Sequence, residues 1–135
     1  MSEPQAASAP EALGRAFAAA IAAKDRRALE RLLAPEVDFR GVTPNHLWEA
    51  TDPEGVAEIV FGSWFEPHDH VREVLDVTTA GFADRHVLHY RFLVDSEGEP
   101  CLVEQHGYFD ALDGRFTKLN LVCSGFRPTK GTRSA

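Results

Sequence analysis

Residues 98–127 read GEPCLVEQHGYFDALDGRFTKLNLVCSGFR. Two alternating runs, 101–109 and 116–123, flank Leu112-Asp113-Gly114, which is the pattern of two antiparallel strands joined by a tight turn. Alternation divides the first run into two faces. One carries Cys101, Val103, Gln105, Gly107 and Phe109; the other carries Leu102, Glu104, His106, Tyr108 and Asp110. The first set is the more apolar, so it is expected to face the core. A three-residue loop Leu112-Asp113-Gly114 pairs Ala111 with Arg115 and sets Gln105 opposite Leu121, so that the apolar faces coincide. A two-residue turn at Asp113-Gly114 would instead swing Glu104 inward beside Cys123, because a one-residue slip flips every side chain. The three-residue loop is the expected form.

The preceding strand, 86–94, alternates with Leu88, Tyr90, Phe92 and Val94 on one face. Pairing Asp95 with Pro100 sets Phe92 opposite Val103 and Tyr90 opposite Gln105 inside, and Arg91 opposite Glu104 and His89 opposite His106 outside.

Upstream, Ser8-Ala9-Pro10-Glu11 fits a capping box, and Leu13, Phe17 and Ile21 then recur at every fourth residue of a helix. Asp25 is the expected cap of a short second helix with apolar face Leu29, Leu32 and Leu33, stopped by Pro35. Residues 36–41 alternate as a strand with Val37 and Phe39 inward, 42–50 read as a loop, and Thr51-Asp52-Pro53-Glu54 opens a third helix as a second capping box. Residues 71–79 form the next strand, and 81–84 a turn. Helices first and a strand meander afterwards predict an α+β domain: a cone-shaped, curved, mostly antiparallel sheet with three N-terminal helices enclosing a pocket. The expected layout is a tail over 1–8, one domain over 9–128 and a tail over 129–135.

At 135 residues the chain is the size of one domain, and its net charge of −7 speaks against a nucleic-acid or anionic-membrane partner. No apolar run approaches the roughly 20 residues of a membrane span. Two cysteines make no disulfide framework, and the N-terminal residues lack a basic segment leading into an apolar run, so a cytoplasmic location is expected.

The order of elements resembles the nuclear transport factor 2-like superfamily, which includes ketosteroid isomerases, limonene epoxide hydrolase and SnoaL-like polyketide cyclases. The resemblance runs over about 9–127 and rests on LLAPEVDF, on the strand–loop–helix from Phe39 to Phe65, and on the hairpin with ALDGRF. WEATDPEGV, LVEQ and CSGFRP resemble a bacterial subgroup of it. The resemblance implies a pocketed fold and a homodimer, but the isomerase chemistry does not carry over. The position matching that family's aspartate base is Gly41, its tyrosine donor falls on Phe17, and its protonated acid on Gly107, or His106 if a gap shifts.

The expected partner is a hydrophobic small molecule, with Tyr90, Gln105, Trp48, Trp64, Phe39, Leu121 and Cys123 as candidate contacts. Tyr90 and Gln105 either present a phenol and an amide to the ligand or hydrogen-bond each other. Cys123 reads as a small buried hydrophobe rather than a nucleophile. Glu104, His106 and His46 are the candidate acid–base groups. Arg91, Glu104, His89 and His106 read better as an outer, dimer-facing patch, with an Arg91–Glu104 pair. No cofactor is expected. His68-Asp69-His70 lacks a third metal ligand, so no metal is expected either.

Overall fold

The structure, a computed structural model, describes residues 9–82 and 85–129. The Ser8 cap, the segments 1–8 and 130–135, and residues 83 and 84 of the expected turn lie outside the described residues. Helix α1 (Ala9–Ala22) buries Leu13, Phe17 and Ile21, as their spacing predicts. Helix α2 (Arg26–Arg31) starts where the Asp25 side chain accepts from the Ala28 N–H at 3.0 Å. Helix α3 (Pro53–Ile59) is capped by Asp52 rather than Thr51: its carboxylate accepts from the Gly55 N–H at 2.7 Å, and Pro53 sits where no N–H is needed. The helix then widens into a π-helical turn, Val60–Trp64, closed by Phe65 N–H donating to Val60 C=O at 2.7 Å. The extra residue in that turn lets both Trp64 and Phe65 turn inward.

Among the described residues seven strands make one open sheet: β1 (Leu33–Thr43), β2 (His46–Ala50), β3 (Asp69–Phe82), β4 (Arg85–Ser96), β5 (Glu99–Leu112), β6 (Arg115–Cys123) and β7 (Arg127–Pro128). Their order is β2-β1-β6-β5-β4-β3, with β7 on β5. Only the β1–β6 pair is parallel among the described strands. Breaks in register along β1, β3 and β6 bend the strands into the curved sheet of a cone. The helices cover its inner face, where Phe17 meets Phe116 edge-on at 5.2 Å between ring centres and Tyr90 at 6.3 Å. Phe39, Phe92, Phe109, Phe116, Leu88 and Leu119 complete a solvent-free interior.

The expected strand 36–41 is longer at both ends. Its ladder lapses between Leu33 and Asp38, which is where Pro35, lacking an N–H, is tolerated. The expected loop 42–50 is instead a hairpin. Pro44 and Asn45 form a two-residue turn, Asn45 at φ 71°, and Thr43 pairs with His46. The β4–β5 register is the predicted one from Asp95–Pro100 through His89–His106.

The β5–β6 turn differs from expectation. Asp113 and Gly114, at φ 56° and 77°, form a two-residue turn with Leu112 paired to Arg115. By itself this would have turned Glu104 inward. A bulge prevents it: Ala111 pairs with Phe116 but Asp110 with Lys118, leaving Thr117 as the extra residue. Beyond the bulge Gly107 faces Leu121 and Gln105 faces Cys123, two residues along from the predicted register and on the same face.

Candidate functional site

Tyr90, Gln105 and Cys123 form an inward row across β4, β5 and β6. Tyr90 and Gln105 have no exposed surface, and the Tyr90 hydroxyl donates to Gln105 Oε1. Of the two arrangements open to them, the buried pair is the one present. Burial, and then the Cys123 sulfur nearby, push the Tyr90 phenol well above its usual range, so it stays a neutral donor. Cys123 is nearly buried, and its Sγ accepts from the Gly125 N–H at 3.4 Å.

The open end of the cone holds a cavity of about 160 Å³ lined by Thr43, Trp48, Ser63, Trp64, Phe65, Cys123, Gly125 and Phe126. Trp48 is fixed by its indole N–H donating to Thr43 Oγ1 at 2.8 Å, and His46 lies against it, its ring tilted by 56° with 4.1 Å between ring centres. The π-helical turn supplies Ser63 and Trp64. Gly125, at φ 78°, reverses the chain after β6 and brings Phe126 against Phe65 at 5.8 Å. Of the residues predicted to contact a ligand, Trp48, Trp64 and Cys123 line this cavity. Phe39 lies behind Trp64, its ring 5.9 Å away, and Tyr90 and Gln105 lie in the packed interior. Leu121 is buried and borders a hollow on the opposite face of the sheet. Phe126 and Thr43 were not anticipated; the signal was present in the Gly-Phe that follows the last long strand and in the turn residues around Pro44.

Two glycines at positions matched to the isomerase machinery leave no room for a side chain. A Cβ on Gly41 would stand 2.5 Å from Cη2 of Trp64, and one on Gly107 would stand 1.7 Å from the Asn120 carbonyl oxygen. The indole has taken the space over Gly41.

The acid–base candidates lie elsewhere. Glu104 is on the outer face, and its Oε2 meets His89 Nε2 at 2.5 Å. Arg91 does not pair with it as expected, but holds Asp76 of β3 through two bonds of 3.1 and 2.7 Å. The bulges in β3 carry Asp76 to that position, and they leave no trace in the alternation of the sequence. The His89 bond holds the Glu104 carboxyl below its usual range, and the Arg91 bond does the same for Asp76. His106 is exposed, 5.7 Å from His89 between ring centres. His46 stands outside the cavity wall. In the 68–70 segment Asp69 is structural: it accepts from Glu66 N–H at 2.9 Å and from Ser96 Oγ at 2.7 Å.

Beside the charged row, the outer face carries a hollow of about 470 Å³ bordered by Val42, Leu47, Val87, His106, Tyr108 and Val122, among others. Leu47 and Val122 are 53% and 57% exposed.

This cone, with its helices inside the curve of the sheet, is the nuclear transport factor 2-like fold. The chain is similar in structure to a protein of that fold from Cytophaga hutchinsonii whose function is unknown (TM-score 0.55, 14% identity, covering 97% of this chain and 100% of that one). It is also similar to an LEH-like epoxide hydrolase from M. tuberculosis (0.64, 11%, 86% and 83%). A proposed polyketide cyclase from Pseudomonas putida is a third (0.64, 16%, 86% and 91%). No protein-family model matches the sequence, and no curated protein does. No helix among the described residues is long and apolar enough to cross a membrane.

Proposed function

We propose that the chain binds a hydrophobic small molecule at the open end of the cone. The observation that carries this reading is a cavity walled by the rings of Trp48, Trp64, Phe65 and Phe126. An apolar hollow with a few polar groups is the usual form of a small-molecule site. The named activities of two of the similar proteins act on small molecules, which supports the reading. An acid–base enzyme is the weaker alternative, because among the described residues no carboxylate or histidine lines this cavity. The test is a thermal-shift screen of hydrophobic metabolites on the wild type and on Phe126→Ala. Ligands that raise the wild-type melting temperature should lose most of that effect in the variant; a screen with no stabilising compound defeats the reading.

The same chain is proposed to pair with a second copy through its outer face. Val42, Leu47, Tyr108 and Val122 leave apolar surface exposed there, next to the row of Arg91, His89, Glu104 and His106. A self-complementary patch of this kind suits a two-fold dimer. Cys101 and Cys123 are unpaired, which fits the cytoplasmic location expected above.

A further inference from the structure

Trp64 lines the cavity at the open end of the cone, and one edge of its indole reaches the sheet. Cζ2 and Cη2 stand 2.6 and 2.5 Å from the point where a Cβ on Gly41 would sit, so the sheet is bare at this position and the ring fills the space over it. Nε1 belongs to the same edge as Cζ2 and is buried with it, so the indole meets the cavity with another part of its surface. Phe39, whose ring centre lies 5.9 Å from that of Trp64, has no exposed surface. Neither Phe39 nor Gly41 takes part in the cavity wall. The indole therefore separates the open hollow from the inner floor of the cone. The π-helical turn sets this arrangement: Phe65 N–H bonds back to Val60 C=O, leaving Ser63 exposed at the cavity while Trp64 turns inward. Among the described residues the side chains of the wall are aromatic rings, one thiol and the hydroxyls of Thr43 and Ser63, with no charged group.

We propose that Trp64 is the specificity-determining residue of this site, because its indole sets how deep a ligand can enter the cone. This rests on the small-molecule reading above and deepens it. The class of ligand it selects is an amphiphile that enters apolar end first, stops against the indole and leaves its polar end at the open mouth in water. The mouth sets no limit on the length of the part that stays outside. A charged group cannot lead, because the wall offers no opposite charge to offset its desolvation. Gly41 is the counterpart of Trp64, since any side chain there would displace the indole.

The test uses the whole chain and a series of straight-chain alcohols, n-butanol, n-hexanol, n-octanol and n-decanol, with binding followed by NMR titration. Each methylene that leaves water should tighten binding about fourfold. In the wild type the gain should level off within the series, because carbons beyond the depth of the hollow stay in solvent. In Trp64→Ala the gain should continue to longer chains, since the floor at Gly41 and Phe39 is then open. Should that variant fold poorly, the wild type still decides: the terminal methyl of the bound alcohol should show nuclear Overhauser contacts to the Trp64 ring and none to the Gly41 Hα protons. The same levelling point in both chains, a gain that never levels in the wild type, or contact between the methyl and Gly41 overturns the inference and leaves a hydrophobic pocket standing. A wild type that binds none of the four overturns both.

Discussion

Tyr90 and Gln105 share one hydrogen bond in a place that water does not reach, so each depends on the other. Removing the hydroxyl alone, Tyr90→Phe, strands the Gln105 carbonyl and should cost about 1–3 kcal/mol in urea unfolding. Replacing both groups, Tyr90→Phe with Gln105→Leu, removes the polar pair and should recover most of that loss. A double-mutant cycle measures the coupling, and a double variant weaker than the sum of the singles would show that the pair is held by something else. Gly107 is fixed by its neighbour in the same local way: the Asn120 carbonyl stands 1.7 Å from where a Cβ would go. Gly107→Ala is therefore expected to destabilise by about 3 kcal/mol or more, whereas Gly81→Ala, with nothing within 4 Å, should be neutral or slightly stabilising. Equal effects in denaturant titrations would show that the crowding at Gly107 relaxes. At this scale much was legible. Alternation identified the inward faces of β4 and β5 residue by residue, because a half-buried strand must repeat every second position. The partners of Arg91 and Glu104 were not legible, since they depend on where a bulged strand carries Asp76.

The hairpin of β5 and β6 shows how two departures from expectation can cancel. Its turn is one residue shorter than predicted, and the bulge at Thr117 restores the side-chain faces. Short turns carry little information in their own residues, whereas the apolar faces on either side carry a great deal, so the face was readable and the loop length was not. A specific test follows. Deleting Thr117 removes the extra residue and leaves Phe116 and Leu119 two positions apart on one face, with Asp110–Lys118 and Phe109–Leu119 still paired, so the shortened chain should stay folded. Circular dichroism melts compare the two chains; a deletion that unfolds would show that the bend made by the bulge is itself required. The β2 strand was missed for a related reason: Pro44-Asn45 is a complete turn, but the run after it, His46 to Ala50, is too short and too mixed to announce a strand. Asn45→Gly, by relieving a positive φ, is compatible with that hairpin.

At the scale of the whole molecule, two outer-face carboxyls give the acid response. Glu104 and Asp76 are both held below their ordinary range in the folded chain. The unfolded chain therefore takes up protons first, and the stability these groups supply is complete above about pH 5 and lost as pH falls through roughly 4 and below. Urea midpoints should be flat from neutrality to that point and then fall, less steeply in Glu104→Gln; an unchanged slope in that variant would remove Glu104 from the account. The neighbouring apolar surface bears on assembly. Light scattering should find a dimer for the wild type and a monomer for Val122→Glu, and a monomeric wild type would end the proposal for that face. The outline of the fold, helices followed by a cone of strands, was readable from capping signals and period alone, because both are set by local chemistry. The cavity was only half readable, since its wall joins a π-helical turn, a hairpin tip and a reversal at Gly125 that sequence spacing does not connect. That convergence has a practical outcome. The chain contains two tryptophans, and both stand in the wall of the same cavity, one with its indole bonded to a hydroxyl and one with no hydrogen-bond partner among the described residues. Its ultraviolet emission therefore originates almost wholly at the proposed site, so the unlabelled protein carries its own optical gauge of occupancy.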